Sequence, residues 1–282
     1  MRISASVLLE DAHNGGYAIP MYNTINLEIT RGLVAAAERL NIPILLGIAY
    51  DAIEHMGMEA LYRGADVIAH AASVPVGIHL DHGRTYEEVA AAVKLGFDSV
   101  MIDFSFMEFD ENVARTAEAA KMSHAMNVPI EAEIGHVPGG ENTPTEEDAT
   151  HMVYTNPKDA ANFALRTGVD FLAVSVGTVH GVYKAEPKLN IGLVKEINAA
   201  VGRPLVMHGG SGTPAGQVRA AVAAGISKVN IGTNVMRAFI KGLRSVTESV
   251  MDVRTVMRSG RYEIYNVVAE TSDMFGTQKA TW

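Results

Sequence analysis

The chain has 282 residues, a net charge of −9 and no cysteine. The length is long for one ordinary domain but normal for an α/β barrel. The acidic balance argues against a nucleic-acid surface, and the absence of cysteine excludes disulfides, thiolate metal ligands and a cysteine nucleophile. No stretch reaches the roughly 18 apolar residues that span a bilayer, and the first residues lack the apolar core of a signal peptide. We therefore expect a cytoplasmic protein with neither a membrane nor a nucleic-acid partner.

Short apolar runs alternate with longer amphipathic segments along the chain. Apolar strands separated by helices indicate a parallel sheet that is buried on both faces. Eight such runs without a linker-like change of composition predict one domain over residues 1–282, built as a (β/α)8 TIM barrel, with an open doubly wound sheet as the alternative. The predicted strands are YAIPMYN ending at Asn23, PILLGIA from Pro43, PVGIHLDH ending at His82, SVMIDFS from Ser99, VPIEAEIG ending at Gly135, FLAVSVG from Phe171, PLVMHGG from Pro204 and KVNIGT from Lys228.

Two segments interrupt this alternation. A polar loop rich in glycine and proline runs from His136 to Thr155, after the fifth predicted strand, and loops of this length are usually functional or disordered. The sequence after about Met251 predicts extra C-terminal helices that carry Arg254, Arg258 and Arg261.

Polar side chains stand at or just after the carboxyl ends of the predicted strands. In a barrel these ends meet at one mouth, where active sites are assembled from several strands. Packing alone does not explain such a set, because buried polar groups cost free energy unless they are satisfied. The set comprises Asn23, Asp81, His82, Asp103, Glu133, His208 and Asn230.

Three of the ten histidines, His82, His180 and His208, each end or follow a different apolar run. Imidazoles that converge from different strands form a site for a divalent metal with an open position, and Asp81 places an acid/base group beside it. We interpret His79, which lies within a strand, as a satisfied interior residue that could support the site. His79 and His82 are not both assigned to the metal, because strand alternation would aim them to opposite sides. A structural role is the alternative for any single histidine.

Glycines cluster after the sixth, seventh and eighth predicted strands. Backbone N–H groups exposed by glycines at helix N-termini can hold an anion, and barrels commonly bind phosphate after strands seven and eight. Ordinary tight turns are the alternative. Lys184 is the nearby cation, but no lysine ends a predicted strand, which disfavours a Schiff-base mechanism. The cluster comprises Gly177, Gly181, Gly209, Gly210, Gly212 and Gly232, with Ser211, Thr213 and Thr233 among them.

The motifs HLDH, MIDFS, EAEIG, GTVHGVYK, HGGSG and VNIGT together resemble the class II, metal-dependent ketose-bisphosphate aldolases over nearly the whole chain. This resemblance implies a carbon–carbon lyase that reversibly cleaves a ketose phosphate or bisphosphate, such as tagatose- or fructose-1,6-bisphosphate, to dihydroxyacetone phosphate and an aldehyde. It implies Zn²⁺ on His82, His180 and His208, with Asp81 moving the proton of the aldehyde-derived oxygen. It also implies a homodimer or homotetramer.

Further site residues follow from the same resemblance. Asp103 and Glu133 match positions that hold the metal in an alternate place or orient its ligands. Backbone oxygens near Gly181, Gly209 and Ser211 resemble a monovalent-cation site for Na⁺ or K⁺. The expected contacts to the phosphorylated sugar are Asn23 at the rim, together with Gly181, Lys184, Gly209, Ser211, Asn230 and Thr233.

Two positions depart from the family pattern. The loop after the fifth strand usually carries a glutamate at the second position after its paired glycines, where it moves the proton next to the ketone. Here Asn142 stands at that position and Glu141, the expected base, precedes it. Gly232 replaces the aspartate of fructose-bisphosphate members, as a small residue does in tagatose-type members. Glu146 or Glu147 is the alternative base. For the function, the alternatives are an aldolase for a phosphorylated sugar acid, or a relative that binds zinc and sugar phosphate without the base.

Overall fold

Eight parallel strands form a closed barrel in the computed structural model, which describes residues 1–138, 152–181 and 186–280. Each strand pairs with the next one in the sequence, and the last strand pairs with the first. The predicted TIM barrel is therefore confirmed, and the open sheet is wrong. Strands β1 to β8 are Ile19–Asn23, Ile44–Ala49, Val76–Gly83, Ser99–Ile102, Ile130–Ile134, Phe171–Val174, Leu205–Met207 and Ile226–Ile231.

Helices surround the barrel, and local sequence signals set their ends. Asn26 and Thr85 accept hydrogen bonds from the first turns of the helices that follow them, Leu27–Leu40 and Tyr86–Leu95. Gly96 and Gly168 end the helices that precede them, Tyr86–Leu95 and Pro157–Thr167, in the left-handed conformation. The predicted C-terminal addition is α11, followed by a 3₁₀ turn. Across the parts of the chain that are described, no helix combines the length and the apolar character needed to cross a membrane. Helices α1 to α11 are Ala5–Gly15, Leu27–Leu40, Tyr50–Met56, Met58–Ala71, Tyr86–Leu95, Phe109–Ala125, Pro157–Thr167, Ile191–Val201, Ala215–Ala223, Thr233–Arg244 and Val253–Phe275.

Helix α1 closes the amino-terminal end of the barrel. Its Leu8 and Leu9 are fully buried and belong to one apolar cluster with Met21, Leu45 and Phe171 from the strands. Burial of each such side chain contributes about 1.5–3 kcal/mol. This packing fills one end of the barrel, so the polar groups that the strands carry are concentrated toward the other end.

An irregularity in β3 decides where its two histidines point. The pairing register between β3 and β4 shifts between Leu80 and Gly83, and His82 has a φ of 51°. A bulge of this kind re-aims a side chain, and both His79 and His82 meet partners inside the barrel. The expectation that alternation separates the two histidines is therefore wrong. Gly83 is required here, since an added Cβ would lie 2.6 Å from the carbonyl oxygen of Met101.

Candidate metal centre

Four side chains converge at the carboxyl-terminal mouth of the barrel. His82, Glu133, His180 and His208 each offer one ligand atom, and these atoms lie within 4.8 Å of one another. The centroids of the three imidazole rings are 4.5–5.6 Å apart, and the rings are nearly perpendicular. Metal–nitrogen bonds of about 2.1 Å in a tetrahedral site place ligand atoms roughly 3.4 Å apart. Small side-chain rotations are enough to reach that geometry.

The buried carboxylate of Glu133 supports a cation at this point. Its Oε1 accepts a hydrogen bond of 3.0 Å from the backbone of Val137, whereas its buried Oε2 has no hydrogen-bond partner in the described structure. An unsatisfied buried carboxylate oxygen is costly, and a metal ion satisfies it. Three imidazole nitrogens and one carboxylate oxygen are also a donor set that suits zinc. These residues therefore fit a divalent metal.

Two further carboxylates orient the histidine rings. Asp103 lies 2.7 Å from Nδ1 of His82, and Glu131 lies 2.9 Å from Nε2 of His208. These contacts leave Nε2 of His82 and Nδ1 of His208 facing each other at 2.8 Å. Carboxylate partners of this kind fix the tautomer and the direction of metal-binding imidazoles. Asp103, predicted either to bind the metal or to orient its ligands, lies outside this four-residue group and contacts His82, and its role stays a prediction.

A polar network beneath the histidines was missed by the sequence reasoning. The ammonium of Lys228 donates to Oε2 of Glu131 at 2.6 Å and lies 3.3 Å from Nε2 of His79. His79 in turn contacts the hydroxyl of Ser99 at 2.7 Å, as expected for a satisfied interior residue. Lys228 lies within β8 rather than at its start. The sequence did contain a signal for this network. In a strand, residues two apart point to the same face, so Glu131 shares a face with Glu133 in EAEI, and Lys228 shares a face with Asn230 in KVN.

Asp81 is held as an ionised carboxylate beside the histidines. Its two oxygens accept hydrogen bonds from the amides of Asn23 at 2.8 Å and Asn230 at 3.0 Å. Burial alone would raise the pKa of Asp81, but the nearby imidazoles of His82 and His208 outweigh it and lower the pKa to about 2. Its position and charge suit a proton acceptor near neutral pH.

The histidines differ in their affinity for protons. Burial lowers the pKa of His180 and of His208, and the charge of His82 lowers both further. Burial also acts to lower the pKa of His82, but the carboxylates of Asp81 and Asp103 outweigh it and raise the pKa to about 10. Among the three histidines, a metal at this mouth would therefore compete with protons mainly at His82.

A narrow cleft, called here the glycine cleft, lies on one side of His180. Its wall includes the start of α10, where the backbone of Asn234 donates to Oγ of Ser211 at 3.2 Å. Gly209 adopts a φ of 66°, and an added Cβ would lie 2.3 Å from the carbonyl oxygen of Val179. The cleft thus combines a helix N-terminus with close backbone approach, which suits an anion. Its lining residues are Asn23, Asp81, His180, Gly181, Gly209, Ser211, Asn230, Gly232 and Thr233.

A wider cavity of about 310 Å³ lies on the other side of His180 and is called here the wide cavity. His136, assigned from the sequence to a loop, lines this cavity and lies 3.3 Å from the hydroxyl of Ser105. His136 directly follows EAEIG, the end of the fifth predicted strand, and this position could have predicted its place at the mouth of the barrel. The remaining lining residues are Ala49, Tyr50, Asp51, His82, Arg84, Asp103, Phe106, Val137 and His180.

Two predicted site residues lie outside the described part of the chain. These are Glu141, the expected loop base, and Lys184, the expected phosphate contact. Asn142, Glu146 and Glu147 fall in the same undescribed stretch as Glu141. Their roles stay predictions.

Comparisons with known proteins agree with this architecture. The family model described as fructose-bisphosphate aldolase class-II matches residues 3–280. The chain is 37% identical to the fructose-bisphosphate aldolase of Geobacillus stearothermophilus, covering 98% of this chain and 97% of that protein. The crystal structure of the YdjI aldolase from Escherichia coli K12 superposes with a TM-score of 0.88 at 33% identity, covering 99% of this chain and 98% of that one. This chain therefore belongs to the class II fructose-bisphosphate aldolase family.

Proposed function

We propose that this protein is a zinc-dependent aldolase that reversibly cleaves a ketose phosphate or bisphosphate to dihydroxyacetone phosphate and an aldehyde. Tagatose- and fructose-1,6-bisphosphate are the first substrates to test, since relatives carry the name fructose-bisphosphate aldolase. The observation that carries the proposal is the convergence of His82, Glu133, His180 and His208 next to Asp81, whose Oδ1 lies 4.0 Å from Nε2 of His82.

Zinc binding falls to His82, His180 and His208, with Glu133 as a further oxygen ligand. When bound, the metal polarises the ketone carbonyl and stabilises the negative charge that develops on cleavage. Asp103 and Glu131 keep the imidazole rings aimed at the shared point. The proposal includes a monovalent cation, Na⁺ or K⁺, on backbone oxygens near Gly181, Gly209 and Ser211, which line the cleft together.

The glycine cleft takes the dihydroxyacetone phosphate half of the substrate. Its phosphate lies against the start of α10, near Ser211 and Thr233, where the helix dipole favours an anion. The buried Oδ1 of Asn230 has no partner among the described atoms and is free to accept a substrate hydroxyl. Gly181 and Lys184 complete the phosphate contacts in this proposal.

Asp81 moves one of the two protons of the reaction. In cleavage its carboxylate accepts the proton of the hydroxyl that becomes the aldehyde oxygen, and in condensation it returns that proton. The amides of Asn23 and Asn230 hold the carboxylate in place during the transfer. The second proton, at the carbon next to the ketone, is assigned to Glu141.

Proton exchange separates catalysis from binding alone. With zinc present, the protein should exchange the C3 hydrogen of dihydroxyacetone phosphate in D₂O and cleave a ketose bisphosphate in a coupled assay. His180→Ala should lose bound zinc and both activities, because it removes a ligand. Asp81→Asn should keep zinc and lose cleavage by about a hundredfold or more.

His55→Ala is the matched control, since His55 is an exposed histidine in α3. It should keep zinc and both activities. Full cleavage after zinc removal by a chelator would contradict the proposal. Zinc binding without any exchange would instead support a relative that only binds sugar phosphate.

A further inference from the structure

The wide cavity and the glycine cleft share His180, so a substrate bound at the metal extends into both. This inference rests on the proposed function, in which the glycine cleft takes the phosphate of the dihydroxyacetone half. The aldehyde half must then lie in the wide cavity, next to His82. The volume of about 310 Å³ is within the range of small-molecule sites. The chemistry of this cavity therefore selects the aldehyde.

Arg84 is the sole lysine or arginine among the described residues that line the wide cavity. Its guanidinium stacks on the ring of Tyr50, with 3.4 Å between the guanidinium carbon and the ring centroid. No hydrogen bond or ion pair within the described ranges uses this guanidinium. The cavity thus presents a positive charge whose five N–H donors are available.

Both ends of Arg84 are anchored. Its backbone N–H donates to Oε2 of Glu88 at 2.7 Å, and the backbone of Glu88 donates to Oγ1 of Thr85 at 3.2 Å, which fixes the start of α5. The hydroxyl of Tyr50 donates to Glu54 one turn along α3 at 2.5 Å, which holds the ring under the guanidinium. A guanidinium held in place loses less side-chain entropy when it binds an anion.

Two carboxylates, Asp51 and Asp103, also line this cavity, and neither is free of partners. Asp103 accepts from His82 and is committed to orienting that ring. An anion that enters the cavity therefore meets a fixed cation at Arg84, and a neutral polyol gains no comparable contact. A guanidinium forms charge-assisted, often bidentate hydrogen bonds with both phosphate and carboxylate.

We propose that Arg84 is a specificity-determining residue that binds a terminal anionic group, phosphate or carboxylate, on the aldehyde half of the substrate. The substrate class is then a ketose 1-phosphate whose far end carries a negative charge. Tyr50 acts as a positioning residue by stacking under the guanidinium. The wide cavity would then select substrates with an anionic far end, a selection that the metal centre itself does not provide.

The test compares three substrates with Arg84→Met and Arg84→Lys. The substrates are a ketose 1,6-bisphosphate, a ketose 1-phosphate that ends in a carboxylate, and fructose 1-phosphate, whose far end is neutral. We expect Arg84→Met to lower kcat/KM for at least one of the two substrates with a charged far end by about ten- to hundredfold, the value of a charge-assisted contact. Cleavage of fructose 1-phosphate should stay within about twofold.

The pattern across substrates tells phosphate from carboxylate. Whichever of the two charged substrates shows the larger loss identifies the terminal group. Arg84→Lys should recover part of the loss, since it keeps the charge but lacks the planar fork. Arg63→Met is the matched control, because Arg63 lies beside the ring of Tyr62 at 5.9 Å on α4 and does not line the cavity.

Two outcomes overturn the proposal. One is an equal loss for all three substrates, and the other is no loss for any charged substrate. Exchange of the C3 hydrogen of dihydroxyacetone phosphate should be unchanged in Arg84→Met, because that ligand occupies only the glycine cleft and the metal. If the wild-type protein shows neither exchange nor cleavage, the proposed function fails. Calorimetric titration with glyceraldehyde 3-phosphate and with an aldehyde that ends in a carboxylate then decides on Arg84: weaker binding of either one to Arg84→Met supports the proposal, and equal binding of both overturns it.

Discussion

Two glutamates of the same strand have opposite electrostatic surroundings. One belongs to the network of Glu131, Lys228 and His79 beneath the histidines, called here the floor, and the other lies at the mouth with the candidate metal group. Glu131 and Glu133 stand two residues apart in β5, point to the same side and are almost fully buried. Burial alone would raise the pKa of both carboxyls. At the floor, the ammonium of Lys228 outweighs burial and holds the pKa of Glu131 far below its ordinary range. At the mouth, burial and the carboxylate of Asp103 together raise the pKa of Glu133.

The two glutamates also differ in their hydrogen bonding, which distinguishes a structural support at the floor from a binding surface at the mouth. At the floor, both oxygens of Glu131 have partners, Lys228 and His208, so neither oxygen is left to bind a ligand. At the mouth, Oε2 of Glu133 has none within the described structure. Fully satisfied polar networks rigidify a core, whereas an unsatisfied buried group marks a place where a partner is expected. We infer that the floor holds His208 and the mouth holds the ion.

Breaking the ion pair at the floor should have the largest effect on stability. Lys228→Met leaves the buried charge of Glu131 without its main partner, and removing one member of a buried pair costs about 3–5 kcal/mol. Chemical denaturation of the zinc-loaded protein measures the change in the free energy of unfolding. Glu131→Gln combined with Lys228→Met removes both charges and should recover part of the loss.

The exposed pair Lys241–Glu263 provides the control for this prediction. Its Lys241 side chain is 73% exposed, so Lys241→Met should cost less than about 1 kcal/mol. Similar losses for the buried and the exposed lysine would mean that the floor is not the rigid support described above.

Removing an orienting carboxylate at the mouth should weaken zinc binding without a comparable loss of stability. Asp103→Asn replaces the carboxylate that fixes His82, and changes of this kind cost about ten- to hundredfold in metal affinity. Competition with a chromogenic chelator measures that affinity. Asp170→Asn is the matched control, because Asp170 contacts His124 at 2.9 Å and accepts from the backbone of Ile130 at 2.8 Å, at the start of β5 and away from the mouth. An unchanged zinc affinity in Asp103→Asn would assign Asp103 to the support rather than to the mouth.

The sequence could predict the barrel and most of the mouth, but not the floor. Strand ends carrying Asp81 or His208 are visible as polar residues at the close of apolar runs. The inward turn of His82 depends on a bulge, which no alternation rule reveals. The contact between Glu131 and Lys228 joins strands that are not neighbours in the barrel, and the register that brings them together is set by closure of the whole sheet.

Proton release on zinc binding is the smallest of the expected effects and tests the mouth directly. In protein stripped with a chelator, the pKa of His82 is about 10 and that of Glu133 is raised, so both groups hold a proton at pH 7. Because the pKa of each group is higher in the folded than in the unfolded protein, protonation of His82 and Glu133 stabilises the folded state. The associated stability is present at low pH and is lost as the pH rises through the folded pKa of each group.

Ligands must be deprotonated to bind a metal, so zinc should release about two protons at pH 7, one from each group, and bind more tightly as the pH rises. Calorimetry in two buffers of different ionisation enthalpy counts these protons. Glu133→Gln should release about one fewer proton, and an undiminished count would show that Glu133 is no more protonated than Glu131.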